Sequence, residues 1–115
     1  MIRFSATDWV EGGWDLEQSV VLAQALKARG CAFMLVSTGG LSPQQKLVPG
    51  PGYQVPFAVR IRQETGLPTI AVGLITEPEQ AERIVADGDA DLVLLARELL
   101  RNPRWPLMAA HQIGR

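Results

Sequence analysis

The chain has 115 residues, 47% of them hydrophobic and 20% charged, with a formal net charge of −1. That size and balance describe one ordinary globular domain with one core and exclude a basic nucleic-acid-binding stripe. A single cysteine, Cys31, excludes an internal disulfide and a cysteine-built zinc site; the longest apolar run falls far short of the ~20 residues of a membrane span, the N-terminus lacks a signal-peptide core, and a cytoplasmic protein is expected.

The first predicted strand is the short run Met1 to Ser5. Arg3 stands inside it, where a charged side chain either points to solvent at a frayed end or enters the ligand-binding mouth. Asp15 caps the first predicted helix, which carries Leu16, Val20, Ala23 and Leu26 at helical spacing and closes with Lys27, Arg29 and Gly30. The second strand, Ala32 to Ser37, leads into STGGLSPQQKLVPGPG. There Ser37, Gly39 and Gly40 make either an exit open to close backbone approach or an ordinary turn. Two Pro-Gly pairs stiffen the rest of the connection. It is long for a strand-to-helix loop, and long loops on this face are usually functional.

Tyr53 to Thr65 is the second predicted helix, with Phe57 and Ile61 on one face and Gly66 at its stop. The third strand is Thr69 to Leu74, and Gly73 near its end permits close backbone approach. Thr76 and Glu79 have capping-box spacing around Pro78, ahead of a helix that buries Ala81, Ile84 and Val85 and ends near Gly88. Thr76 with the free N–H groups of that helix is a candidate anion site, or Thr76 is only a cap. The fourth strand, Asp91 to Ala96, reads as buried on both faces and ends abruptly at Arg97. After a short turn, Asn102 caps a last helix with Pro103 at its first position, and Trp105, Leu107 and Met108 face the sheet.

Four alternating strand–helix units predict a parallel sheet. Two architectures fit: an open doubly wound sheet, or half of a (β/α)8 barrel, which takes ~250 residues when complete. In both, ligands bind at the C-terminal ends of the strands. Arg97 lies where barrels bind phosphate, after the last strand, and a guanidinium suits that anion. Its alternative is a surface ion pair with a neighbouring carboxylate. No GxGxxG, no GxxxxGK[ST] and no acid–base constellation is visible. His111 falls in the last helix, away from the ligand face.

The segments IRFSATDW, STGGLSPQQKLVPGPGYQVPFAVRIRQETGLPTIAVGLIT and ADLVLLARELLRNPRWPLMAA, in that order, resemble the Old Yellow Enzyme family of FMN-dependent NAD(P)H oxidoreductases. Within it they are most similar to the class of YqjM-like enzymes and bacterial xenobiotic reductases. The resemblance covers nearly the whole chain and implies strands five to eight, the C-terminal half of a TIM (β/α)8 barrel. It implies FMN at the barrel mouth, reduced by NAD(P)H and oxidised by an activated alkene. It places Arg3 at the pyrimidine edge of the flavin, where positive charge stabilises the anionic reduced ring. It places Gly73, Ala96 and Arg97 at the FMN phosphate, with Ala96 standing where the family usually has glycine.

The family's substrate-anchoring His/His or His/Asn pair and the tyrosine that serves the substrate precede this segment, so no catalytic residue is assigned. Arg115 does not match the arginine that some members lend to a neighbouring subunit. A half barrel exposes two strand edges and an apolar inner face. The expectation is therefore a gene fragment, part of a split gene or a truncated chain. It would pair with a missing N-terminal half-barrel, or with itself, and be inactive alone. The alternative function is a non-catalytic phosphate- or flavin-binding half-barrel. A free-standing open α/β domain of unrelated function is a third reading.

Overall fold

The computed structural model describes residues 1–115. Nine elements follow in the order β1 (Ile2–Ser5), α1 (Leu16–Ala28), β2 (Met34–Ser37), α2 (Val55–Thr65), β3 (Thr69–Val72), α3 (Pro78–Ala86), β4 (Leu92–Leu94), α4 (Arg97–Arg101) and α5 (Trp105–Gln112). The strands form one sheet in the order β1-β2-β3-β4, and every neighbouring pair is parallel. No helix is long and apolar enough to cross a membrane.

Side chains alternate across a strand, so the register sorts them into two faces. Phe4, Val36, Ala71 and Val93 share one row. All four join or pack against the cluster that also holds Val20 and Ala23 of α1, Ala58 and Ile61 of α2, Ala81 and Ile84 of α3, and Trp105 and Ala109 of α5. The helices therefore cover a single face. The other row is Arg3, Leu35, Ile70 and Leu92, and none of these belongs to that cluster. Sequential strand order with all crossovers on one face departs from a doubly wound sheet, which reverses its order and carries helices on both faces.

The strands are shorter than the apolar runs suggest. Ala32, Phe33, Gly73, Leu74, Leu95 and Ala96 lie outside them. β4 is not buried on both faces: Leu92 is 50% and Leu94 39% exposed. It is an edge strand, and nothing packs on its far side. The predicted cap at Asp15 is present. Its carboxylate accepts from the Gln18 N–H while the Gln18 side chain accepts from the Asp15 N–H. The predicted box at Thr76 and Glu79 is absent. Glu77 is the N-cap of α3, and the Thr76 hydroxyl instead donates to the Glu77 carboxylate. Val85, Leu107 and Met108 are exposed rather than buried in the core. α5 starts at Trp105 because the Asn102 side chain accepts from the Arg104 N–H and holds Pro103 and Arg104 in a turn.

The N-terminal ends of β3 and β4 are joined by an ionic clamp. The Asp91 carboxylate accepts from the Thr69 N–H at 2.9 Å, from Arg62 Nε at 2.9 Å and from Arg62 Nη2 at 3.2 Å. Arg62 also donates to the Gly88 carbonyl, so α2 is tied to the turn that feeds β4. The Arg62 hydrogen bonds hold the Asp91 carboxyl below its ordinary value, against partial desolvation. A lowered native pKa stabilises the fold above the unfolded-state value and loses that contribution as the pH falls. Asp91→Asn is thus expected to lower the urea midpoint at neutral pH and to flatten its decline below about pH 4. An unchanged acid limb in the variant would show that the clamp is not ionic in effect.

Removing buried volume tests the one-face core. Met34→Ala, at a fully buried position, is expected to destabilise by about 2–5 kcal/mol. Leu107→Ala, on the solvent side of α5, is expected to change stability by less than about 0.5 kcal/mol.

Candidate functional site

Parallel strands in sequential order end on the same side of the sheet, and the loops that leave them meet there. Two adjoining hollows open at those ends. A cleft of about 590 Å³ is lined by Arg3, Ser5, Ser37, Gly39, Gln54 and Gly73, among others. A smaller hollow of about 140 Å³ lies between the exits of β3 and β4, against Gly73, Leu74, Thr76, Ala96, Arg97 and Arg101. Val72 and Gly73 line both. Arg3, Gly73, Ala96 and Arg97 therefore gather along one continuous depression, with Gly73 at its centre.

Arg3 is not at a frayed end. It is paired in register with Leu35 and projects on the face away from the helices. The ion pairs of the chain are made by Arg60, Arg62, Arg101 and Arg115. The guanidinium groups of Arg3 and Arg97 are free of them. The carboxylate beside Arg97, Glu98, pairs with Arg101 at 3.1 Å, so the surface ion pair considered for Arg97 is not formed. The N–H groups of Gly73, Leu74, Ala96 and Arg97 donate to no protein acceptor. One hollow thus combines unpaired backbone donors from two strand exits with a free guanidinium. That donor set suits an oxyanion. Thr76 contributes less than its position suggests: its N–H donates to Gln80 Oε1 and its carbonyl accepts from Trp105 Nε1 at 2.9 Å.

The loops are cross-linked by hydrogen bonds. Ser5 Oγ donates to the Gly39 carbonyl, Ser37 Oγ donates to the Phe4 carbonyl, and the Gly39 N–H donates to the Thr7 carbonyl. The next link is Gln54, the residue before α2, which is only 4% exposed. Its Oε1 accepts from the Thr38 N–H at 2.6 Å and from Thr38 Oγ1 at 2.8 Å, and its Nε2 donates to the Val72 carbonyl at 2.8 Å. Gly73 makes room for it. A Cβ there would sit 2.6 Å from Gln54 Nε2, and φ is +117°. The gap left by glycine is filled by Gln54 rather than left open to a ligand. Leu74 follows at φ +50°, a left-handed conformation that a branched side chain rarely adopts.

Gln54 and Leu74 carry no recognisable signal in the sequence. Glutamine is a weak capping residue, and here its side chain makes no capping bond at all. Gly73 is the visible trace of the crowding around Gln54, but it does not name the residue that crowds it.

The sequence profile of the NADH:flavin oxidoreductase / NADH oxidase family matches residues 1–115. The chain belongs to that family. The flavin oxidoreductase relatives include an NADPH dehydrogenase of Listeria monocytogenes serotype 4a (strain HCC23), 49% identical over 114 residues that cover 99% of this chain and 33% of the relative. An NADPH dehydrogenase of Geobacillus thermodenitrificans (strain NG80-2) is 48% identical over 113 residues, covering 98% and 33%. The chain thus spans about a third of the length of these curated relatives. Among solved structures, 2-naphthoyl-CoA reductase in complex with 2-naphthoyl-CoA aligns with a TM-score of 0.82 at 22% identity, over 98% of this chain and 18% of that one. That likeness concerns the fold alone.

Gly73→Ala is expected to destabilise the chain by about 1–3 kcal/mol, through backbone strain and the clash with Gln54. Chemical denaturation measures it. A neutral substitution would mean that Gln54 moves aside freely.

Proposed function

We propose that the chain is the FMN-binding C-terminal half, strands five to eight, of a (β/α)8-barrel NAD(P)H oxidoreductase. The observation that carries this reading is the pair of joined hollows, one with a free guanidinium and unpaired N–H donors, the other with a second free arginine. A small hollow joined to a cleft of larger volume suits a ligand with a compact anionic end and a larger body. The smaller hollow takes the FMN phosphate, with the N–H groups of Gly73, Ala96 and Arg97 and the Arg97 guanidinium as donors. The larger cleft takes the flavin ring, with Arg3 toward its pyrimidine edge. Bound FMN would supply the hydride chemistry between NAD(P)H and an activated alkene.

The residues present hold and orient a cofactor. Arg3 adds positive charge where the reduced ring concentrates negative charge, which favours reduction. Ala96 keeps its N–H although it adds a methyl group. The acidic and basic side chains that pair beside the depression, Glu98 and Arg101, form a salt bridge within α4, and substrate activation is assigned to residues outside this segment. A complementary half-barrel would also supply strands for the free edges of β1 and β4 and cover Leu92 and Leu94. It is the proposed partner, with self-association the other route to a closed sheet. Activity is accordingly a property of the completed barrel, and this chain alone is proposed to be inactive.

The test is a fluorescence titration of FMN against the purified chain. Arg97→Ala is expected to weaken binding roughly tenfold, the order of one charge-assisted contact. Equal affinity for both proteins would remove Arg97 from the phosphate end. Co-expression with the N-terminal half of a related dehydrogenase is expected to give a soluble complex with flavin absorbance and NADPH-dependent alkene reduction. A soluble complex without either would contradict the cofactor-binding role.

A further inference from the structure

We infer that Gln54 is a positioning residue for the anion end of the site: it aims the Gly73 N–H into the hollow shared with Ala96 and Arg97. The inference rests on the phosphate assignment above.

A peptide unit is planar and trans, so its C=O and N–H point in opposite directions. The Val72 carbonyl and the Gly73 N–H belong to one such unit. That carbonyl accepts from Gln54 Nε2 at 2.8 Å, and Gln54 is held on the β2 side by Thr38. The Gly73 N–H must therefore point the other way, toward β4. Val72 is paired with Leu94 on that side, and the hollow lined by Ala96 and Arg97 lies just beyond. The Gly73 N–H has no protein acceptor there.

Three features make Gln54 the element that sets this orientation. Its amide is buried and uses both ends, so it cannot rotate without breaking bonds. The Gly73 carbonyl is held separately, by the Gly52 N–H at 3.1 Å, so the peptides on both sides of the Gly73 Cα are fixed. And Gly73 adopts a backbone conformation available to glycine that brings its Cα against the Gln54 amide. The donor is pre-oriented before an anion arrives, which reduces the ordering cost of binding.

Two substitutions separate the relevant bond from other effects. Gln54→Met is neutral and loses both ends of the amide. Gln54→Glu retains acceptance from Thr38 and adds charge. Both lose the donor to the Val72 carbonyl. Affinities for FMN and for riboflavin, which lacks the phosphate, are measured for the wild-type chain, both variants and Arg97→Ala. The Gly73 amide resonance is followed in ¹⁵N-glycine-labelled protein during titration with inorganic phosphate.

The expected result is preference for FMN over riboflavin in the wild type, with the ratio of the two affinities reduced roughly tenfold in each Gln54 variant, so that any effect on the ring cleft that Gln54 also lines cancels. The wild-type Gly73 resonance should move with phosphate, and in the folded variants it should not. If Arg97→Ala loses the preference while both Gln54 variants keep it, the positioning role is overturned and the phosphate site stands. If the wild type binds FMN and riboflavin equally, the phosphate assignment fails and takes this inference with it. Should either variant fail to fold, the wild-type Gly73 resonance decides: one that stays still under saturating phosphate overturns the proposal.

Discussion

Each strand of the sheet is hydrogen-bonded to the strand that follows it in the chain, and all run the same way. Every strand must then end on the same side, and every crossover must return across the same helical layer. The rest of the structure follows from that constraint. The helices bury one row of side chains, Phe4, Val36, Ala71 and Val93, and leave the row of Arg3, Leu35, Ile70 and Leu92 on the opposite face. Arg3 and Arg97, 94 positions apart (97 minus 3) in the chain, become parts of one depression because Arg3 projects from β1 into the cleft at the strand ends and Arg97 directly follows the exit of β4. The two ends of the sheet divide the labour. Asp91, Arg62 and Thr69 clamp the N-terminal side, where bonds serve stability. Free donors collect on the C-terminal side, the side on which folds of this kind bind ligands.

The free donors need orientation as well as proximity, and this is where Gln54 matters. A buried amide with partners on two strand exits turns flexible loops into a rigid rim. Gly73 and the strained Leu74 beside it are the local consequences. A conformation that disfavours an ordinary side chain is retained where it presents backbone N–H groups outward, an arrangement typical of functional sites.

The elements were legible in the amino-acid order because their cause is local. Short apolar runs between capped helical patterns mark parallel strands, and Asp15, Gly30 and Gly66 mark helix ends through their own conformational preferences. The placement of Gly73 and Arg97 at strand exits was legible because such exits are the ligand face of these folds, Ala96 and Arg3 entered through the family resemblance, and the cofactor roles of all four are proposals. The misreadings arose where a tertiary contact overrides local preference. Thr76 has the spacing of a capping residue, but its N–H and carbonyl are taken by Gln80 and Trp105. The run from Leu92 to Leu94 is as apolar as a central strand, yet it lies at the edge, which no local pattern records. Gln54 stayed hidden because its role lies in bonds to residues 16 and 18 positions away.

The central claim is that the anion end of a flavin nucleotide sits between the exits of β3 and β4. A crystal structure of the chain grown with FMN tests it most directly. The account predicts phosphate oxygens within about 3.2 Å of the backbone nitrogens of Gly73, Ala96 and Arg97 and of the Arg97 guanidinium. An ordered FMN whose phosphate lies elsewhere, for instance in the groove beside Arg83 between α2 and α3, would contradict it.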